Sequence, residues 1–257
     1  MLSTILLILT CGIVQSQDPI QTSKGHKIRG ISDPVGGYTK YLGIPYGIVD
    51  EKRPFSPSKP HPGINKDFDA KVSKPCLRIE NVVISGVIDC LTLDIYVPNN
   101  PKILDLLPIM VWIKSESDFQ HKTKIMKPDF LMSHSVIVIE VHYRLGIHGF
   151  MCLDTPEVPG NQGLKDQVLA FKWIRKNIRL FGGNVFEVTA FGGLSVNLHL
   201  FSSHEKLFHR AIIHSTSALV PMWLRKSNYS QAIAECIKKA GYNTKDIHGF
   251  LKRSLME

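Results

Sequence analysis

Apolar positions along this chain form two kinds of run, and each kind predicts a different element. Continuous β-branched runs at 109–113 and 136–141 are typical of strands buried on both faces of a mostly parallel sheet. Shorter apolar segments predict further strands at 27–30, 38–44, 90–97, 188–191 and 211–214. We expect the last of these, 211–214, to be buried like the others.

Between these strands the apolar spacing changes to helical steps. Leu164, Val168, Phe171 and Ile174 recur every three or four residues, which predicts a helix over 163–177 that ends before the glycine pair at 182–183. Two more helices are predicted, at 194–201 and 229–240. Because strands and helices alternate, we predict an α/β fold with a largely parallel sheet.

The N-terminal residues predict a secretory signal rather than part of the fold. Residues 2–14 are apolar and uncharged, and the run is too short to span a membrane. Val14 and Ser16 then occupy the positions that a signal peptidase recognises. We therefore assign 1–16 to a signal peptide that is cleaved before Gln17, and 17–257 to the mature domain, with no later transmembrane segment. The expected location is extracellular.

Secretion permits disulfides and glycosylation, and the chain offers candidates for both. Once Cys11 leaves with the signal, Cys76, Cys90, Cys152 and Cys236 remain, and four cysteines allow three pairings that spacing alone does not rank. Asn228 is the acceptor of the one Asn-x-Ser/Thr sequon and is a candidate glycosylation site.

Charge and motif content exclude several classes of function. The formal net charge is +9, but lysine and arginine are dispersed, which favours a solvated basic surface over a nucleic-acid site. The sequence contains no His-Glu-x-x-His, Cys-x-x-Cys or phosphate-binding glycine loop, so no metal and no cofactor is predicted. Its 44% apolar content is sufficient for one well-packed core.

Several ordered segments resemble the type-B carboxylesterase/cholinesterase family. Residues 41–46 are similar to its "LGIPYA" segment, 89–96 to its "EDCLYLNVY" strand, and 107–113 to its "LPVMVWI" strand. Further signatures follow in the family's order, at 143–146, 160–167, 181–184 and 208–212. The resemblance extends from about residue 20 to the end of the chain.

This resemblance implies an α/β-hydrolase fold, with the chain covering the N-terminal half of a family domain and ending before its C-terminal half. It also implies that Cys76 and Cys90 form the family's first disulfide, whereas Cys152 and Cys236 match no family partner and are expected to be buried thiols. Ester hydrolysis on this fold needs a serine on a strained strand-to-helix turn, backbone N–H donors for the oxyanion, and a histidine aligned by a carboxylate.

The turn that should hold the serine departs from the family's Gly-x-Ser-x-Gly pattern. The chain has Phe191-Gly192-Gly193-Leu194-Ser195 followed by Val196-Asn197. In one alignment Ser195 is a shifted nucleophile, with Asn197 where glycine belongs. In the other, 195–200 match "SVHLHL" in the following helix, and four residues carrying the serine are deleted. We prefer the deletion because it aligns six consecutive positions and removes about one helical turn.

The other two parts of the machinery are also altered. Where the family has His-Gly-Gly-Gly, this chain has Lys114-Ser115-Glu116-Ser117-Asp118, so side chains and two carboxylates replace the oxyanion donors. None of the acids and histidines after Ser195 stands in a family motif. The histidines are His199, His204, His209, His214 and His248, and the acids are Glu205, Glu235, Asp246 and Glu257.

The sequence therefore predicts a secreted carboxylesterase-like protein without catalytic residues. A non-catalytic role would involve a small ester, an apolar ligand or a protein partner, because the family also includes members that resemble adhesion proteins. The alternative is that the sequence is an incomplete gene model or a fragment of an active carboxylic-ester hydrolase. The substrate or ligand and the oligomeric state are left open by the sequence.

Overall fold

A computed structural model describes residues 19–80, 83–99, 106–114, 128–203, 205–214 and 217–219, together with Glu235, Lys238 and Lys239. The predicted signal peptide, Asn228, Cys236 and nearly all of the predicted helix at 229–240 lie outside these residues, although Glu235, Lys238 and Lys239 are helical.

The strands of the described chain are β1 (Ile20–Gln21), β2 (Lys27–Arg29), β3 (Ile31–Asp33), β4 (Tyr38–Pro45), β5 (Gly47–Ile48), β6 (Lys59–Pro60), β7 (Phe68–Asp69), β8 (Arg78–Glu80), β9 (Val83–Ser85), β10 (Thr92–Pro98), β11 (Leu107–Ile113), β12 (Ile137–Val141), β13 (Cys152–Thr155), β14 (Val158–Pro159), β15 (Gly183–Gly192) and β16 (Arg210–Ile213). The helices are α1 (Asp129–Met132), α2 (Gly146–Phe150), α3 (Gln162–Asn177) and α4 (Leu194–Phe201). A 3-10 turn, Ile178–Phe181, follows α3.

Seven of these strands form one large sheet in the order β16-β15-β11-β12-β10-β4-β3. Within this order, β16, β15, β11 and β12 pair with one another in parallel. Helices lie in the connections that join these four strands along the chain. The other three pairings are antiparallel. The predicted parallel sheet is therefore found in the half that is connected through helices, and the whole sheet is mixed because its early strands have no helical crossovers.

Helix α3 packs against one face of this sheet, as its spacing predicted. Phe171 and Ile174 are buried in the same cluster as Val111 and Ala190 of the central strands. Leu164 and Val168 are half-buried. The helix also buries polar residues that the apolar pattern did not indicate, Asp166 and Gln167. Gln167 contacts Ser195, and Asp166 contacts Arg144.

The predicted strands at 27–30, 38–44, 90–97, 109–113, 136–141 and 188–191 are all present, with ends shifted by a few residues. The prediction that 211–214 is buried is wrong. Ile212 is 42% exposed and Ile213 is 37% exposed. The reason is that β16 is the outermost strand of the sheet in the described part of the chain. Its apolar side chains therefore have a described neighbouring strand on one side only.

The disulfide between Cys76 and Cys90 is present, and both cysteines are buried. It joins the loop after β7 to the start of β10, across a separation of 14 residues. Closing a loop of this size stabilises the fold by about 3 kcal/mol on the chain-entropy model. Cys152 is half-buried at the start of β13, which is more exposed than we expected.

Candidate active site around Ser195

The connection between β15 and α4 is a very short turn. The strand ends at Gly192, the helix begins at Leu194, and Gly193 alone lies between them. Gly193 has φ −98° and ψ −132°, and Ser195 is the second residue of the helix. A nucleophilic serine on such a turn is expected to have a strained backbone. Ser195 does not have a positive φ, because among the described non-glycine residues positive φ occurs at Ser135 and Asn161.

Ser195 is buried at the interface between α3 and α4. Ser195 is 2% exposed, and its Oγ accepts a hydrogen bond from Gln167 Nε2 at 3.1 Å. The other end of the same amide, Oε1, lies 2.8 Å from His199 Nε2. Since that amide oxygen accepts, this nitrogen of His199 donates. Gln167 therefore connects a serine and a histidine of one helix, and Ser195 occupies a structural position in the packing of α4.

The strand end beside this turn is closely packed. Gly192 pairs with Ile113 at the end of β11, and a Cβ built on Gly192 would lie 2.1 Å from the Ile113 carbonyl oxygen. Glycine is required here because the backbone of β11 occupies that space. The residue after β11 is Lys114, so the loop predicted to replace the family's oxyanion glycines begins directly beside the turn. That loop, Ser115–Asp118, lies outside the described residues.

Lys114 makes contacts that do not resemble an oxyanion hole. Its ammonium forms an ion pair with the Glu140 carboxylate, whose side chain is 3% exposed. The ammonium also lies 5.3 Å from the centre of the Trp112 ring. Its carbonyl oxygen accepts a hydrogen bond from the Tyr143 hydroxyl at 2.7 Å. These contacts hold the end of β11 to β12, and they direct a positive side chain into the protein.

A second ion pair, between Arg144 and Asp166, ties the end of β12 to α3. Arg144 Nε and Nη2 donate to the two carboxylate oxygens of Asp166, each at 2.7 Å, and both side chains are at most 3% exposed. Arg144 Nη1 donates to the carbonyls of Pro54 and Ser56, and the Ser58 hydroxyl donates to Asp166. The pair is therefore fully hydrogen-bonded, as a buried charge pair must be to be stable.

A serine, a histidine and an aspartate do meet elsewhere, in Ser73, His142 and Asp94. Ser73 Oγ and Asp94 Oδ2 each lie 3.0 Å from the same atom, His142 Nε2. A catalytic triad needs the serine on one ring nitrogen and the carboxylate on the other, so these three residues are not arranged as a triad. Asp94 Oδ1 also accepts the Gly43 N–H at 2.8 Å. The cluster connects β4, β10 and the loop before the disulfide.

The surroundings of Asp94 favour its charged form. Burial is the largest single effect on the Asp94 carboxyl and raises its pKa, but the hydrogen bond and electrostatic attraction of His142, together with hydrogen bonds from Ser73 and the Gly43 N–H, outweigh burial. The pKa of Asp94 is therefore below its ordinary value, and the carboxylate is favoured.

The histidines after Ser195 that the structure describes, His199, His209 and His214, make separate contacts. His199 contacts Gln167, as described above. His209 Nδ1 accepts the Val188 N–H at 3.3 Å, and the backbone N–H of His214 donates to the Gly192 carbonyl. Both are exposed. His204, His248, Asp246 and Glu257 lie outside the described residues, and so their predicted lack of a catalytic role stays a prediction.

Sequence reasoning missed the polar residues that organise this region. Gln167, Asp94, His142 and Glu140 are all buried. The sequence signal that could have found them is a charged or amide residue within an otherwise apolar strand or helix face. Such a residue is usually buried together with a hydrogen-bonding or ion-pairing partner. Within the described residues no group of three or more His, Cys, Asp or Glu side chains is arranged to hold a metal ion. The described helices include none long and apolar enough to cross a membrane.

Comparison with known proteins identifies the family. The sequence model of the carboxylesterase family matches residues 16–256. This chain belongs to the carboxylesterase family. Its large sheet with flanking helices is accordingly an α/β-hydrolase fold.

Relatives of this carboxylesterase-family chain include named esterases. Juvenile hormone esterase of Tribolium castaneum is 35% identical over 239 residues, which cover 86% of this chain and 40% of the relative. Venom carboxylesterase-6 of Apis mellifera is 36% identical over 72% of this chain and 35% of its own length. Acetylcholinesterase 1 of Caenorhabditis elegans is 36% identical over 59% of this chain and 26% of its own length. The chain thus spans less than half the length of these relatives.

Proposed function

We propose that this chain is a non-catalytic member of the carboxylesterase family, in which Ser195 does not act as a nucleophile. The observation that carries the proposal is the position of Ser195 inside α4, 2% exposed, with its Oγ accepting a hydrogen bond from Gln167. A nucleophilic serine must instead stand exposed on the turn, with its hydroxyl donating to a base.

The chemistry of the Gln167 contact supports the same proposal. An N–H donor to Oγ draws electron density away from the oxygen, whereas a general base would increase it. Gln167 also binds His199, since its Oε1 accepts a hydrogen bond from His199 Nε2 at 2.8 Å. The three residues together resemble a packing cluster between α3 and α4.

The sequence of the adjacent loop adds independent support. Ser115–Asp118 replace the glycines that supply oxyanion N–H groups in the family, and Glu116 and Asp118 would repel a developing oxyanion. Loss of a single oxyanion donor typically raises the barrier by about 3–4 kcal/mol. A working hydrolase would need both this loop and the serine turn rebuilt.

The test is turnover of p-nitrophenyl acetate by the purified chain. We expect slow background hydrolysis that is the same in the parent, in Ser195→Ala and in Ser133→Ala, where Ser133 is an exposed serine distant in sequence. A fluorophosphonate probe followed by peptide mass spectrometry should give no adduct on Ser195. Turnover that Ser195→Ala abolishes and Ser133→Ala leaves intact would contradict the proposal.

The proposed non-catalytic role is binding of a small ester, an apolar ligand or a protein partner. It is proposed for an extracellular protein, with a signal peptide removed before Gln17 and a glycan on Asn228. Expression in a secreting eukaryotic cell tests both features. The secreted product should begin at Gln17, and its mass should fall on treatment with an N-glycosidase in the parent but not in Asn228→Gln.

A second candidate is that the chain is a fragment of an active carboxylic-ester hydrolase. It is favoured by one observation, that the chain spans only 40% of juvenile hormone esterase and 35% of venom carboxylesterase-6. The discriminating measurement is the full-length transcript. A reading frame that restores Gly-x-Ser-x-Gly after Phe191 and continues well beyond Glu257 would support the fragment and reject the non-catalytic proposal.

A further inference from the structure

The outward face of helix α3 carries a row of basic side chains. The exposed residues of this helix are Lys165, Lys172, Arg175 and Lys176, and each of them is a cation. Exposed Arg179 follows in the 3-10 turn that continues the helix. Steps of three, four and seven residues return to the same side of an α-helix, so these five residues form one basic stripe. From Lys165 to Lys176 alone it extends about 16 Å.

The packing of α3 on the sheet produces this separation of charge. Phe171 and Ile174 lie in the core, on the inward face. The acidic residue of the helix, Asp166, is also buried, where it pairs with Arg144. The fold therefore turns the carboxylate of α3 inward and its cations outward. Basic residues that are dispersed along the sequence are concentrated here on one surface.

The basic stripe is only weakly neutralised by its surroundings. Among the described side chains, the carboxylate that comes within 4 Å of it is Glu205, at 3.4 Å from Lys172 and 3.6 Å from Arg175. The three side chains are 54–68% exposed, and ion pairs of this kind contribute little to stability. One carboxylate shared between two cations leaves the basic stripe strongly positive.

Helix stability explains only part of the basic stripe. Arg175 and Lys176 lie in the last turn of α3, where cations interact favourably with the negative end of the helix. Lys165 lies near the opposite end, where the helix dipole is unfavourable to a cation, and Lys172 lies between the two. The row is therefore longer than the stability of the helix requires, which indicates an anionic partner.

The composition of this face distinguishes between anionic partners. The exposed α3 residues, all of which the structure describes, include no aromatic side chain on which nucleic-acid bases could stack and no apolar side chain to anchor in a membrane. A second copy of the chain would place one basic stripe against another. A linear sulfated polysaccharide needs only a row of cations, because its sulfate groups are spread along its length.

We propose that the basic stripe binds a sulfated polysaccharide that lies along α3. The sulfate groups contact the exposed ammonium and guanidinium groups, and Glu205 competes with them for Lys172 and Arg175. This binding does not involve Ser195, so it goes beyond the function proposed above. It agrees with the proposed extracellular location and is tested independently of it.

The experiment measures binding of the full chain to a heparin fragment by isothermal titration calorimetry at two salt concentrations. Desulfated heparin, phosphatidylserine vesicles and a DNA duplex are the comparison probes. The vesicles are included because exposed Leu180 follows the basic stripe. In the stripe variant, Lys172, Arg175, Lys176 and Arg179 are replaced by glutamine. In the matched control the same change is made at four exposed lysines of other surfaces, Lys52, Lys66, Lys71 and Lys74.

We expect heparin to bind more tightly than the three comparison probes, and more weakly at the higher salt concentration. The stripe variant should lose affinity for heparin about ten-fold, because four exposed ion contacts are removed, and the control variant less than about two-fold. Glu205→Gln should tighten binding about two-fold by freeing Lys172 and Arg175, whereas Glu51→Gln, the same charge change at another exposed site, should not. Circular dichroism should show both four-residue variants folded, since every replaced side chain is exposed.

Three results would overturn the proposal. The first is equal loss of heparin affinity in the stripe and control variants, which would mean that only net charge matters. The second is equal binding of heparin and desulfated heparin. The third is tighter binding of the vesicles or of the DNA duplex than of heparin, which would assign the basic stripe to a membrane or to a nucleic acid.

Discussion

Removal of the Asp166 carboxylate is the most demanding test of how this fold is held together. In Asp166→Ala, Arg144 loses two hydrogen bonds of 2.7 Å and its counter-charge. The Arg144 side chain is 3% exposed, so water does not replace what is lost. The carbonyls of Pro54 and Ser56 remain as partners of Nη1, but they do not neutralise the charge.

The expected loss of stability is about 3–5 kcal/mol, the typical cost of leaving one member of a buried ion pair without its partner. This is a large part of the roughly 5–15 kcal/mol that stabilises an ordinary domain. The double variant Arg144→Met with Asp166→Leu removes both charges and should lose much less than Asp166→Ala alone. The single variants Arg144→Met and Asp166→Leu, measured beside it, should therefore have strongly non-additive effects.

Urea unfolding followed by tryptophan fluorescence and circular dichroism measures the free energies of unfolding. Glu205→Ala is the matched control, because it breaks ion pairs whose side chains are 54–68% exposed. Exposed pairs typically contribute less than about 1 kcal/mol. If Asp166→Ala cost no more than Glu205→Ala, or if the double variant lost as much as the sum of the single variants, the account of a tightly coupled buried pair would be refuted.

Three further predictions follow from other contacts. Gly192→Ala should destabilise the fold by about 2 kcal/mol or more, because its Cβ would lie 2.1 Å from a β11 carbonyl. Gly182→Ala has nothing within 4 Å but places alanine at φ +79°, so in the same urea titration it should cost only the backbone strain of about 1–2 kcal/mol, without a clash. The lowered pKa of Asp94 stabilises the fold at pH values above its unfolded pKa of about 4, and this contribution is lost as the pH falls through the lower folded value. Asp94→Asn should therefore flatten the decline of stability below about pH 4, measured by acid titration of circular dichroism, and an unchanged slope would contradict this. Replacing Cys76 and Cys90 by serine should lower the free energy of unfolding by about 3 kcal/mol, and a loss below about 1 kcal/mol would show that the bridge constrains the unfolded chain little.

Much of the architecture was predictable because it rests on local periodicity. The run at 109–113 is continuous and β-branched, and it forms the centre of the sheet as β11. The helix at 194–201 has the predicted bounds, and it contains Ser195 as the deletion alignment required. These features depend on short-range sequence, since side-chain spacing determines which residues can share one buried face.

Burial and pairing were less predictable because they depend on distant residues. The run at 211–214 has the composition of a buried strand, yet β16 is an exposed edge, because exposure depends on which strand comes next in the sheet. The pairing of Arg144 with Asp166 joins residues 22 positions apart. That of Asp94 with His142 spans 48 positions, and no local pattern indicates either.

The sequence by itself therefore determined the α/β class, the carboxylesterase resemblance and the departure from the family's serine turn, because each is carried by ordered local motifs. The Cys76–Cys90 pair followed only from the resemblance, since spacing left three pairings open. Only the tertiary structure decided the surroundings of Ser195. Helix α3 places the Gln167 amide at its hydroxyl, and β11 packs so closely against Gly192 that only glycine fits at the end of β15. Such contacts arise when separate elements pack, and so they are visible only in the folded chain.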